Sequence, residues 1–273
     1  MDRVNFYIGT SQETQLPYEL LSRSISTHCK GAKIFPCPVY ASATSDKWST
    51  PFSFNRLAIP FHSEFNKADI SIYIDSDMLV LGGLEEMIDI AMQYQISICK
   101  HVGFRGTSSV MTFNSKRLNK EEFHRAIDEQ IKNGVKSVDD VVLSLRPSIS
   151  IPSTFNSLDW VDENTKIVHF TYMPTQPWIN KKSRYFNFYK DHLREAIMAE
   201  GKESLLAKTL AAAINEFYVH PALAELVSSD LPVRRASFFI PYWIGLSGRV
   251  VPQTLYRFYR FFGKYFWEKK SCA

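Results

Sequence analysis

Residues 68–87 read ADISIYIDSDMLVLGGLEEM. Ile70, Ile72 and Ile74 alternate with Ser71 and Tyr73, which is the period of two that a strand imposes. The run is largely apolar, which predicts a strand covered on both faces, as in a sheet wrapped by helices. It ends in the polar cluster Asp75-Ser76-Asp77, continues as a short strand over Met78–Leu81, and turns at Gly82-Gly83 into a helix starting near Leu84. Residues i and i+2 of a strand point the same way, so Asp75 and Asp77 are expected to face one cleft at the strand's carboxyl end. Ligands of open α/β sheets bind there.

Working outward, other strands and helices alternate around this one. VNFYIGT (4–10) is a short β-rich run closed by a Gly turn, and Leu16, Leu20, Leu21 and Ile25 have helical spacing within ETQLPYELLSRSISTHCK (13–30). AKIFPCPV (32–39) reads as a strand broken by prolines. Residues 51–67 predict a helix with Phe54, Leu57, Ala58 and Phe61 on one face, interrupted by Pro60. QISICK (95–100), SSVMTFN (108–114) and TKIVHF (165–170) are further strands, and 118–134 is a polar amphipathic helix. This alternation predicts an α/β fold with a mostly parallel central sheet flanked by helices.

The chain has 273 residues, 45% of them hydrophobic and 22% charged, enough for one large α/β domain with an appendage. We expect the main α/β domain over 1–185 and a C-terminal helical region over 186–273. The first residues lack the pattern of a signal peptide, and no stretch approaches the roughly 18–20 apolar residues of a membrane span. Cys29, Cys37, Cys99 and Cys272 are scattered, which predicts free thiols in a reducing, cytoplasmic compartment and no zinc site.

Charge is uneven. Residues 231–273 carry eight basic side chains and one acidic, leaving 24 basic and 27 acidic of the chain's 32 and 28 elsewhere. A mildly acidic body with a basic aromatic tail is not a nucleic-acid-binding pattern. In PQTLYRFYRFFGKYFWEKK (252–270) the apolar residues fall at helical spacing, with Arg257, Arg260 and Lys264 on another face. This predicts an amphipathic helix at the inner face of a membrane, the alternative being a helix packed on protein.

Asp-x-Asp alone is a weak motif, equally suited to a solvated turn. Its surroundings strengthen it. TPFSFNRLAIPFHSEFNKADISIYIDSDMLVLGGLEEM (50–87), SSVMTFNSKRL (108–118), VDDVVLSL (138–145) and IVHFTYMPTQPW (167–178) follow NFYIGT in an order that resembles glycosyltransferase family 8, in a bacterial branch. The resemblance covers residues 5–178. It implies the GT-A fold, a nucleotide-sugar donor (commonly a UDP-sugar), Mn²⁺ with Mg²⁺ as the alternative, and hexosyl transfer with retention.

Under this resemblance Asp75, Asp77 and His169 match the metal ligands, and a neutral imidazole suits Mn²⁺. Arg56 matches an arginine facing the donor, where a guanidinium can grip phosphate or sugar oxygens; the plainer reading is a surface charge. Gly9 and Thr10 lie where the family receives the uridine, and Ser76 and Gln176 also fall on the donor side. Asp139 and Asp140 match the helix start beneath the reacting anomeric carbon, where an oxygen can stabilise an oxocarbenium-like charge. Alternatively both acids favour the helix N-terminus, or one of them acts as a covalent nucleophile in place of a front-face transfer.

The late histidine loop departs from the family. It is one residue longer, lacks the family's glycine, and has Gln176 where a diphosphate-binding lysine is expected. Lys181, Lys182 or Arg184 are the nearby substitutes. The implied acceptor is a glycan or lipid-linked hydroxyl. The rival readings are a sugar nucleotidyltransferase, which would need a Gly-rich basic loop after the first strand, and a membrane-associated nucleotide-sugar-binding protein without catalysis.

Overall fold

A computed structural model describes residues 3–40, 53–99, 107–134, 137–233, 242–244 and 250–252. The amphipathic segment 253–270, Cys272 and part of the basic tail lie outside the described residues. Described residues within Met1–Gln12 and Leu21–His169 form one compact unit, and those within Glu13–Leu20 and Phe170–Ala273 a second.

The first unit is built on a six-stranded sheet. Its strands are β1 (Val4–Gly9), β2 (Lys33–Pro36), β3 (Ile70–Asp75), β5 (Ile96–Cys99), β6 (Val110–Asn114) and β7 (Ser148–Ile151), in the order β2-β1-β3-β6-β5-β7. Strand β6 alone runs against the others. A smaller sheet joins β4 (Met78–Val80), β9 (Ile167–His169) and β8 (Ser157–Leu158), in the order β4-β9-β8. Helices α2 (Glu85–Gln93), α3 (Lys120–Lys132) and α4 (Val138–Ser144) belong to this unit, while α1 (Gln15–His28) follows β1. Strands β1 and β3 are buried almost end to end, as their apolar runs require. Tyr7, Tyr73, Phe113, Phe123 and Ile127 lie in one core cluster on a face of the sheet.

Residues Ser53–Phe61 are helical, but as a 3-10 helix. Phe54 and every residue from 56 to 60 are buried, while Phe61 turns outward, 46% exposed. The expected α-helical face is thus off by one residue at its end. Strands β7 and β8 carried no clear sequence pattern. Cys29, Cys37 and Cys99 are free thiols.

In the second unit, α5 (Phe186–Glu200) and α6 (Leu205–Asn215) precede a 3-10 turn over Pro221–Leu226. Phe170, Trp178, Tyr185 and Tyr189 pack ring against ring. Strands β10 (Tyr242–Ile244) and β11 (Val250–Pro252) pair antiparallel, so this region is not helical throughout. No helix among the described residues is long and apolar enough to cross a membrane.

Candidate metal centre

Strand registers converge on Asp75. In the parallel β1–β3 ladder Gly9 lies opposite Asp75, and the Ser76 amide donates to the Gly9 carbonyl at 3.1 Å. Strand β4 then pairs antiparallel with β9 so that Met78 is opposite His169. The imidazole therefore arrives beside the carboxylate of the preceding residue, Asp77, although 92 positions separate them in sequence. One ligand atom each from Asp75, Asp77 and His169 lies within 4.8 Å of the others. Both carboxylates are partly exposed and the imidazole is buried.

His169 is held from both sides. Its Nε2 is 3.1 Å from Asp77 Oδ1, and its Nδ1 is 2.9 Å from Oδ1 of the fully buried Asn156. With Nδ1–H donating to that amide oxygen, Nε2 is the nitrogen turned to the carboxylates. Burial alone would lower the His169 pKa; the charges of Asp77, Asp75 and Asp159 outweigh it and raise the pKa above its usual value. Two carboxylate oxygens and one imidazole nitrogen form a donor set suited to Mn²⁺, and harder than a zinc-thiolate site. Asn156 gave no sequence signal, because an asparagine in a loop carries none until its partner is known.

Arg56 is buried, not a surface charge. Its Nη2 is 3.4 Å from Asp75 Oδ1, its Nη1 donates to the Ser108 carbonyl at 2.6 Å and hydroxyl at 2.7 Å, and its Nε donates to the Ser53 carbonyl at 2.9 Å. Its Cζ also lies 4.3 Å from the Tyr73 ring centroid. Burial would lower its pKa, but Tyr73, Asp75 and Asp139 together hold it above its usual value. The Tyr73 hydroxyl donates to Asp75 Oδ1, so that oxygen accepts from two groups at once. Burial keeps the Tyr73 phenol protonated, well above its ordinary pKa.

The acidic pair opening α4 divides. Ser137 is the N-cap, its hydroxyl accepting from the Asp140 amide at 3.1 Å and donating to Asp140 Oδ2 at 2.6 Å. That is a local capping arrangement on an exposed side chain. Asp139 instead accepts from the Ser108 hydroxyl, which links it to Arg56.

Gly9 owes its identity to packing. A Cβ there would run into the Tyr73 hydroxyl. Thr10 turns its hydroxyl to the Ser11 carbonyl at 3.3 Å. Gln176 is buried in the second unit and donates from Nε2 to the Phe170 carbonyl at 3.0 Å. Lys181, Lys182 and Arg184 are exposed there, with the Arg184 guanidinium over the Tyr185 ring.

No protein-family model and no curated protein sequence matches the chain. Solved structures do. The galactosyltransferase LgtC, in complex with donor and acceptor sugar analogues, matches with a TM-score of 0.52 at 11% identity, over 69% of this chain and 94% of its own. The apo glycosyltransferase GlyE of Streptococcus pneumoniae TIGR4 gives 0.52 at 16% identity, over 70% of this chain and 60% of its own. The bifunctional glycosyltransferase WbbM, also apo, gives 0.50 at 14%, over 70% of this chain and 49% of its own. The fold is the GT-A fold of these glycosyltransferases. Their identities are too low to carry more than that.

Proposed function

We propose that the protein is a metal-dependent glycosyltransferase, moving a hexosyl unit from a nucleoside diphosphate sugar, commonly a UDP-sugar, to a glycan or lipid-linked hydroxyl with retention. One observation carries the reading. Asp75, Asp77 and His169 meet at the carboxyl end of β3, in a fold that glycosyltransferases use. A divalent cation there, Mn²⁺ before Mg²⁺, would supply Lewis-acid stabilisation of the departing diphosphate.

The remaining work falls to the chain. Arg56 and Tyr73 fix Asp75 Oδ1, and Asn156 fixes the His169 ring, so the ligands need little rearrangement. Asp139 is the acid of the α4 pair tied to this network, and we assign it to the face of the reacting sugar, where a carboxylate opposes developing positive charge. The bond from the anomeric carbon to the phosphate oxygen breaks as the bond to the acceptor oxygen forms on the same face. The acceptor proton passes to the leaving phosphate oxygen, so no separate general base is needed. Gly9, Thr10 and Ser76, grouped at the ends of β1 and β3, are assigned to the donor nucleotide, and Gln176 to its diphosphate side.

A screen of UDP-, GDP- and dTDP-sugars for hydrolysis or transfer, with Mn²⁺ and with EDTA, tests the reading. Turnover of one donor class that EDTA abolishes is the expected result. Equal turnover in EDTA removes the metal, and no turnover of any donor removes the activity.

A further inference from the structure

The 3-10 turn Thr107–Ser109 runs directly into β6, whose ladder with β3 pairs Val110 with Ile74. Continuing that antiparallel register, Ser108 comes beside the carboxyl end of β3, where Asp75 stands. Its side chain is fully buried, so each of its polar contacts matters. The hydroxyl accepts from Arg56 Nη1 at 2.7 Å and, its own proton being its only donor, gives that proton to Asp139 Oδ1. The carbonyl of the same residue accepts from the same Nη1 at 2.6 Å. Arg56 in turn reaches Asp75.

We propose that Ser108 is a positioning residue that sets the Asp139 carboxylate relative to the metal ligand Asp75. One buried guanidinium is the common reference for both carboxylates. It meets Asp75 through Nη2 and Asp139 through the Ser108 hydroxyl. This rests on the reading of Asp75 as a metal ligand and of Asp139 as the carboxylate facing the sugar.

The two contacts of Ser108 separate its roles. Replacing the hydroxyl leaves the carbonyl, so Arg56 keeps its anchor and Asp75 keeps Arg56. What is lost is the Ser108 hydrogen bond to Asp139. Ser108→Ala should therefore lower kcat for transfer by roughly 10–100-fold, as loss of an orienting hydrogen bond does, while the Mn²⁺ dissociation constant and the KM for donor stay within about twofold. A general loosening of the fold would move all of these together.

The decisive experiment compares wild type, Ser108→Ala, Asp139→Ala and the double variant. It measures kcat, KM, Mn²⁺ binding by titration calorimetry and urea unfolding. In the Asp139→Ala background, which has no side-chain acceptor, Ser108→Ala should lower kcat no further, since the Ser108 hydroxyl has nothing left to orient. Retention of kcat in Ser108→Ala, full additivity in the double variant, or parallel loss of metal binding would each overturn the proposal. A wild type that turns over no donor would sink the glycosyltransferase reading instead. The Ser108–Asp139 coupling would still be readable from the urea cycle, and its absence there would also overturn the link.

Discussion

Two close pairs of aspartates stand in this chain, and they meet different ends. Asp75 and Asp77 are two residues apart at the end of a strand and offer ligand atoms to one cluster with His169. Asp139 and Asp140 are adjacent in the first turn of a helix, where successive side chains diverge by about 100°. Asp140 folds back onto its own N-cap, Ser137, while Asp139 reaches Ser108 across 31 positions. The same residue type in the same number therefore does different work, and the partners each element brings decide which. Asp77 lies in the turn after β3, and the β4–β9 pairing sets His169 beside it, so both carboxylates meet one imidazole. In α4 adjacent side chains diverge, which separates a local structural task from a long-range one.

The largest expected effect tests the concentrated pair. Asp77→Ala should abolish saturable Mn²⁺ binding in calorimetry and lower transfer by roughly 10³-fold, the scale for losing a main electrostatic element of a site. Its circular dichroism and melting temperature should stay close to wild type. Undiminished turnover of Asp77→Ala in EDTA would break the assignment.

The divided pair comes next. Asp139→Asn should lower kcat by about 10²-fold, whereas Asp140→Asn should act mainly on stability, near the ~1 kcal/mol of a helix cap. Steady-state kinetics alongside urea midpoints reads both. Equal kinetic losses would erase the distinction drawn between them.

A smaller effect sharpens the first pair. Gly9→Ala should displace the Tyr73 hydroxyl from Asp75 and weaken Mn²⁺ binding by roughly 10-fold, and Tyr73→Phe should do likewise. A normal metal affinity in both would show that the hydroxyl does not orient the ligand.

The smallest effect extends the contrast to two buried histidines. His169 is raised by neighbouring carboxylates, but His220 is pushed down to about 4 by burial and by Lys181. Its Nδ1 accepts from the Ala222 amide at 3.0 Å, which caps the 3-10 turn and requires that nitrogen to stay unprotonated. The folded pKa lies below the ordinary 6.5, so the unfolded chain takes the proton first. Stability from this group is present above pH 6.5 and is lost as pH falls toward 4. His220→Asn keeps an acceptor without titrating. Urea midpoints of wild type and variant should diverge over that window, and parallel curves would remove the cap from the account.

What could be read from the chain alone follows the same division. Strand β3 was legible because Ile70, Ile72 and Ile74 repeat at the strand period; it ends at Asp75, and Asp77 stands in the turn that follows, not on the strand as expected. The core positions of α1, Leu16, Leu20, Leu21 and Ile25, were legible for the corresponding helical reason and are all buried. His169 entered through the order of several motifs, since a lone histidine after an apolar run says little. Ser108 and Asn156 were invisible. Each is a small polar residue whose task exists only once β6 lies beside β3, or β8 beside β9. The burial of Arg56 was hidden for a related reason. Its helix is 3-10, and the carboxylates that compensate it, Asp75 and Asp139, come from two separate segments.

The contact between Gly9 and Tyr73 has an evolutionary corollary. Gly9 pairs in register with Asp75, and Tyr73 lies two residues back along β3, where its phenol occupies the space that any side chain at position 9 would enter. The constraint runs one way: a side chain at 9 must push the Tyr73 hydroxyl aside unless the ring at 73 is first shortened. Among distant descendants of this fold a change at 9 should therefore follow one at 73, and a lineage carrying both must hold its first aspartate by some other donor.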